Sequence, residues 1–294
     1  MSMPADLQRI QALDFWPGPI TLTPLAGGIT NHNYRVDCGG RSFVARVCEP
    51  REILGIDRRN ETLCQRAAND LGIAPAVVRD EEGILISEFI SARTMTAAEV
   101  RIPEFVARLA EILRSLHSGR EQLTGEMLYF SVFQTIRTYA MTARRLGAKL
   151  PGEIESFLED ACALSRAIGP FHPALCHNDL LPTNILDDGT RISLVDWEYA
   201  GIGHPFFDLA GVSANCAFTE ARDDTLLAAY RGEKTPSALD VYELKIFKTM
   251  SHLREALWSV IQTKVSVIDF DYVKYAADCF ASYRRERQSL DREV

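Results

Sequence analysis

No run in this 294-residue chain approaches the roughly 20 consecutive apolar residues that a membrane-spanning helix needs. The segment Met1 to Ile10 carries charges and Pro4 where a secretory signal would need an apolar stretch. Positive charge is in deficit, 32 Lys and Arg against 40 Asp and Glu for a net charge of −8, so no global positive field gathers nucleic acid or anionic lipid. The seven cysteines are odd in number, scattered and without a CxxC pair, which suggests neither a disulfide framework nor a zinc site. They read as small buried hydrophobes. Internal repeats and low-complexity linkers are missing too. The expectation is a cytoplasmic protein with no nucleic-acid partner and no membrane insertion. Its oligomeric state is not legible.

What remains is an ordinary globular composition, 47% hydrophobic and 24% charged, long enough for one large domain or two lobes with a cleft between them. The acidic balance suits a cationic substrate, and equally suits plain solubility. Residues 1–90 read as mostly strand with one helix. Ile20 to Leu25 precedes the pair Gly27-Gly28, and Asn33 to Cys38 and Ser42 to Cys48 flank a hairpin turn at Gly39-Gly40. Arg58 to Leu71 has helical spacing and stops at Gly72, and Val77 to Arg79 with Ile84 to Ile90 form another strand pair. Residues 91–294 change texture. Pro103 to His117 is helical with Phe105, Leu109, Ile112, Leu113 and Leu116 on one stripe. Tyr129 to Leu146 and Glu153 to Ile168 follow as helices, Ala174 to Val195 is strand-rich, and helices resume from about Asp223. The expected fold class is therefore α+β: a small strand-rich lobe, 1–90, joined to a larger helical lobe, 91–294, with the ligand site between them.

The most specific pattern is Leu175-Cys176-His177-Asn178-Asp179-Leu180-Leu181-Pro182-Thr183-Asn184-Ile185-Leu186. A carboxylate after a His, with an amide five positions on, is the catalytic-loop arrangement of kinases. Asp179 would orient the attacking hydroxyl and accept its proton. Asn184 would give Mg²⁺ a neutral oxygen ligand. Ile192 to Asp196 is a short apolar strand ending on a carboxylate, matching the metal-binding Asp of the kinase signature, here followed by Trp197-Glu198. Asp179 or Asn184 alone would read as a capped turn. Joined to a strand-terminal Asp196, they do not.

From Leu175 to Ala210 the chain resembles the choline/ethanolamine kinase and aminoglycoside phosphotransferase superfamily, which has a protein-kinase-like fold and phosphorylates small-molecule hydroxyls. The resemblance extends to Gly27-Gly28-Ile29-Thr30-Asn31, to Ser251-His252 with Leu257-Trp258-Ser259-Val260-Ile261-Gln262, and to Tyr272-Val273-Lys274-Tyr275-Ala276. The last two segments are similar to choline/ethanolamine kinases in particular. The resemblance implies ATP and Mg²⁺ as cofactors and places Gly27, Gly28, Thr30 and Asn31 at the nucleotide, where glycines let backbone N–H groups approach phosphates. A glycine pair by itself is a plain turn. Arg46 stands where protein kinases carry a phosphate-binding Lys, and choline kinases resemble this chain in having Arg there. Glu61 is its natural ion-pair partner, with Glu52 in competition. Glu88-Phe89-Ile90 would be the connector whose backbone meets the nucleotide base. His177 is expected to hold the loop backbone, and Asp208 to fix the catalytic loop, readings compatible with a helix cap.

For the acceptor, the resemblance points to Trp258, Tyr272 and Tyr275 as a wall whose aromatic faces bind a cation, with Glu198 and Tyr199 facing the same pocket. Each aromatic taken alone reads as core. One departure stands out: choline kinases typically have a tryptophan three positions before the second one, and this chain has Glu255. A carboxylate suits the N–H donors of ethanolamine better than choline. The implied reaction is transfer of the γ-phosphate of ATP to the hydroxyl of a small cationic alcohol, choline first and ethanolamine second. The alternatives are an aminoglycoside, sugar or vitamin alcohol as acceptor and, more distantly, a non-catalytic nucleotide-binding module.

Overall fold

The computed structural model describes residues 5–25, 32–48, 52–81, 83–119 and 123–291. The chain enters through helix α1 (Ala5–Gln11), followed by strands β1 (Ile20–Leu25), β2 (His32–Cys38) and β3 (Arg41–Val47). Gly39 and Gly40 join β2 to β3 with φ of 56° and 77°, a pair of left-handed residues that glycine adopts without a Cβ penalty. Helix α2 (Arg58–Asp70) is capped by Asp57, whose carboxylate accepts the Asn60 N–H at 2.8 Å, and Gly72 ends it at φ 76°. Strands β4 (Val77–Glu81) and β5 (Ile84–Glu88) complete an antiparallel sheet of order β1-β2-β3-β5-β4.

Strand alternation decides what each face of this sheet does. Val36, Phe43, Ala45, Ile84 and Ile86 pack on one face with Ile10 of α1. The opposite face of β3 and β5 therefore presents Val44, Arg46, Leu85 and Ser87, all of which line a cavity. Register pairs Arg46 with Leu85 and Val44 with Ser87. Helix α1 is an element that the sequence reading, with its single helix in residues 1–90, missed. At 7 residues it is too short to show a period.

After β5 the chain runs through β6 (Arg93–Thr94) and α3 (Ala97–Val100), where Thr96 and Glu99 form a capping box. Helices α4 (Pro103–Ser118), α5 (Val132–Arg145) and α6 (Ile154–Ala167) follow. The segment around the loop with the kinase-type spacing is then built from β7 (Ala174–Cys176), β8 (Ile185–Asp187), β9 (Ile192–Leu194) and β10 (Gly201–Gly203). Finally come α7 (Pro205–Asn215), α8 (Glu220–Arg231), α9 (Ala238–Val265) and α10 (Tyr272–Leu290). β6 pairs with β8, so the connector from the sheet is bonded directly to the β8–β9 hairpin. The result is the two-lobe, protein-kinase-like α+β arrangement.

Two boundaries depart from expectation. Helices resume at Pro205, not near Asp223, because α7 is buried from Phe206 through Ser213 and shows no polar stripe to betray its period. Helix α5 starts at Val132, not Tyr129, because residues 128–130 run extended beside β10: Ile202 N–H donates to Leu128 O at 2.9 Å and Phe130 N–H to Ile202 O at 2.8 Å. A Cβ on Gly201 would stand 2.6 Å from Leu128 O, so only glycine allows that approach. Helix α9, with 28 residues and a length of roughly 42 Å, is packed by α5, α7 and α10, and most of its side chains are buried. No helix among the described residues is long and apolar enough to cross a membrane.

Candidate active site

The loop after β7 is pinned from beneath. Asp208, fully buried in the first turn of α7, accepts the backbone N–H groups of His177 at 2.8 Å and Asn178 at 2.7 Å. A carboxylate taking two backbone donors holds a turn in a conformation that it would not keep alone, and Asn178 is indeed left-handed at φ 63°. His117 Nε2 lies 3.0 Å from the same carboxylate, and its Nδ1 lies 2.9 Å from the Tyr230 hydroxyl. His177 Nε2 is 2.9 Å from Val195 O, which requires the proton on Nε2, and Nδ1 then accepts the Asp179 N–H at 3.3 Å. Burial lowers the His177 pKa, with Asp208 opposing, so the neutral imidazole clamps loop to strand. None of its nitrogens is left for a metal.

That clamp brings Asp179, Asn184 and Asp196 together. Asn184 Nδ2 donates to Asp179 O at 2.9 Å, and Val195 N–H donates to Asn184 O at 3.0 Å. Asp196 is left-handed, φ 66°, two residues past the end of β9. Its Oδ1 accepts from Arg46 Nη1 at 2.5 Å. Arg46 also pairs with Glu61, and Arg58 spans Glu61 at 2.8 Å and Glu198 at 3.2 Å. The side chain of Glu52, the competing partner, lies outside the described residues. Burial, then Glu198, pushes the Asp196 carboxyl up to about 6, while Arg46 and Arg58 pull it down.

A cavity of about 390 Å³ opens between the sheet and this loop. Val44, Leu85 and Leu186 give it apolar walls, Glu88 to Ile90 form its rim, and Arg46, Asn184 and Asp196 close its polar end. That division suits a flat base at one end and phosphates at the other. The Glu88 carboxylate itself turns to Arg41 at 3.0 Å on the surface. Gly27, Gly28, Thr30 and Asn31 lie outside the described residues.

On the far side of Asp179 stands a residue that the sequence reading missed. Arg254 Nη1 donates to Asp179 Oδ1 at 2.9 Å and to Glu255 Oε1 at 2.5 Å. Glu255 Oε2 in turn accepts from the Tyr275 hydroxyl at 3.4 Å. Burial works against the Arg254 charge, but Glu255 and Asp179 outweigh it and hold the guanidinium protonated. Burial pushes the Asp179 carboxyl up to about 7, Glu255 and Asp196 adding to the rise and Arg254 opposing it. A carboxylate poised there can take a proton near neutral pH. The one hint in the sequence was the charged pair Arg254-Glu255 inside an otherwise apolar helical run.

The other expected acceptor residues are arranged differently. Trp258 is 4% exposed, its indole N–H donates to the Tyr199 hydroxyl at 3.0 Å, and its ring packs edge-on against Tyr272 at 6.0 Å. Tyr272 is 5% exposed; its hydroxyl is bonded with Ser266 at 2.9 Å and its carbonyl accepts from Ser259 at 2.8 Å. Both rings tie α9 to α10 and are almost wholly covered among the described residues. Glu198 is engaged with Arg58 and borders, with Tyr199, a separate cavity of about 240 Å³ beside α2 and α5. Of the six residues expected around the acceptor, Glu255 and Tyr275 are linked to Asp179 by hydrogen bonds through Arg254 and Tyr199 lies under the Arg254 guanidinium, while Trp258 and Tyr272 pack between α9 and α10 and Glu198 turns to Arg58.

Comparison with known proteins bears on the family and the fold. The model of the phosphotransferase enzyme family matches residues 21–242. A probable choline kinase 2 of Arabidopsis thaliana is 25% identical over 303 residues, 90% of this chain and 85% of that protein. Human ethanolamine kinase 2 is 26% identical over 316 residues, 96% of this chain and 80% of that one. Among solved structures, a choline/ethanolamine kinase family protein from Mesorhizobium loti superposes with a TM-score of 0.78 at 27% identity, covering 95% of this chain and 92% of that one.

Proposed function

The chain belongs to the phosphotransferase enzyme family, and from that premise we propose that it transfers the γ-phosphate of MgATP to the hydroxyl of a small amino alcohol. The observation that carries the proposal is the placement of Asp179 between two charged clusters, Arg46-Asp196 toward the 390 Å³ cavity and Arg254-Glu255 on the other side. Asp179 takes the proton of the acceptor hydroxyl. Arg46, held by Glu61, steadies the phosphates with a fork that always stays charged. The donor set fits Mg²⁺: Asp196 offers a carboxylate, and Asn184 has its nitrogen engaged by Asp179 O, which leaves its amide oxygen for a metal. Bound there, the ion would neutralise charge on the phosphates. Residues 1–90 would then serve the nucleotide, and residues 91–294 the chemistry and the acceptor.

Within the amino alcohols, the site favours a primary ammonium. Glu255 and the Tyr275 hydroxyl offer oxygen acceptors to N–H donors, whereas the rings of Trp258 and Tyr272 are covered. Ethanolamine therefore moves ahead of choline as the reading. A coupled assay of ADP release with Mg²⁺ across ethanolamine, choline, aminoglycosides and sugars tests this. Turnover of an amino alcohol with the highest kcat/KM supports it; turnover restricted to sugars or aminoglycosides overturns it.

A further inference from the structure

Arg254 has no part in the reaction as drawn so far, yet it touches the proposed base. It is 3% exposed, so solubility does not explain its charge. Its guanidinium lies over the Tyr199 ring, 4.4 Å from the centroid, and its Nε and Nη2 have no hydrogen-bond partner among the described residues. A buried guanidinium with two unspent donors is costly, and an apolar side chain would fill the same volume more cheaply. What the charge does achieve is specific: a single nitrogen, Nη1, is shared between Asp179 Oδ1 at 2.9 Å and Glu255 Oε1 at 2.5 Å. Two carboxylates drawn to one nitrogen would otherwise repel each other and turn apart. Tyr199 and Trp258 complete the hold, the first beneath the guanidinium and the second hydrogen-bonded to the first.

We propose that Arg254 is a positioning residue that holds Asp179 and Glu255 as a pair facing one acceptor, hydroxyl at the former and ammonium at the latter. This rests on reading Asp179 as the base. With Asp179 ionised, as a base must be, one positive and two negative charges leave the trio a single net negative charge, which matches an acceptor carrying one positive charge. An acceptor bearing a carboxylate beside its ammonium would meet no such match. Arg254 thus sets both the aim of the base and the charge class of the substrate.

Four variants test this against wild type: Arg254→Met, Arg254→Lys, Glu255→Gln, and Arg254→Met in the Glu255→Gln background. The readouts are kcat and KM for the best amino alcohol, affinity for MgATP, and thermal unfolding. Arg254→Met should lower kcat on the order of 10- to 100-fold and raise the acceptor KM with MgATP affinity unchanged, the penalty expected for a misplaced reacting group. Arg254→Lys should recover part of kcat. In the Glu255→Gln background the same Arg254→Met change should cost much less, because the second carboxylate is gone. If Arg254→Met alone does not fold, the Lys variant and the double variant decide. Wild-type kinetics in Arg254→Met, or in Arg254→Lys should the Met variant not fold, overturns the proposal, as do equal costs of Arg254→Met in the two backgrounds. A wild-type enzyme that turns over no amino alcohol overturns the functional reading and the proposal with it. A wild-type enzyme that turns one over while Arg254→Met matches it overturns the role of Arg254 alone.

Discussion

The two sides of Asp179 are built on the same device from different materials. Toward the sheet, Arg46 on β3 is bonded to Asp196 and backed by Glu61, Arg58 and Glu198, in a chain of alternating charge. Toward the helices, Arg254 on α9 is bonded to Asp179 and backed by Glu255 and Tyr275. Each side fixes a carboxylate of the candidate site with a buried arginine. The sheet side draws its residues from strand alternation and a loop with rigid spacing. The helix side draws its residues from faces of α9 and α10 that also have to pack. The first can vary little without losing its geometry, and under the proposed function the second is where an acceptor would be chosen.

The largest effect is expected at the point where the two sides meet. Asp179→Asn should lower kcat on the order of 10²-fold or more with MgATP affinity little changed, since general-base positioning contributes roughly 10² to 10⁴. A near-normal rate would take Asp179 out of the chemistry and dissolve the comparison.

Next, the sheet side can be separated from the helix side by the ligand that each affects. Asp196→Ala should weaken activity and its dependence on Mg²⁺ together, without changing the ranking of acceptors. An unchanged Mg²⁺ optimum in an active variant would make Asp196 purely structural.

Trp258 sharpens the contrast within the helix side. As a packed ring, its replacement by Leu should cost about 2 kcal/mol in urea unfolding and leave the choline KM where it was, because a large core side chain has been cut down. A selective rise in the choline KM at unchanged stability would show instead that the ring meets the substrate. Glu255→Trp should move the ratio of kcat/KM from ethanolamine toward choline by about 3- to 30-fold, the range for an aromatic face gained by a cation.

A further effect, on stability alone, concerns His252, beside Arg254 on α9. Burial, then Lys248 and Arg285, lowers its pKa to about 4 from the ordinary 6.5. A depressed folded value means that its contribution to stability is complete above 6.5 and is lost as pH falls toward 4. Asp179 and Asp196, both raised, work in the opposite sense over part of that range, so the useful quantity is a difference. Between pH 7 and pH 5, wild type should lose about 2 kcal/mol relative to His252→Gln. Parallel stability profiles for the two proteins would mean that the imidazole titrates normally.

How legible each side was in the sequence follows from the same contrast. The hairpin at Gly39-Gly40, the cavity-facing Arg46, and the Asp179-Asn184-Asp196 spacing are set by local backbone rules that a sequence carries openly. The ion pair with Glu61 was foreseen with Glu52 as a competitor, and the structure shows the contact with Glu61. Helix α7 stayed hidden because a helix buried on every side has no period. Arg254 stayed hidden because nothing in its neighbours says which way a long side chain on a packed helix reaches. Trp258 and Tyr272 fit a substrate wall and a core equally well as residue types, and only their covered rings in the structure tell the two apart.

The central claim is that Asp179 takes the proton of an amino-alcohol hydroxyl during phosphoryl transfer. Phosphorus NMR of a reaction containing MgATP and ethanolamine tests it most directly. The account predicts a phosphomonoester signal growing in step with ADP and missing with Asp179→Asn. Release of ADP and inorganic phosphate without an ester, or an ester formed at the same rate by Asp179→Asn, would contradict it.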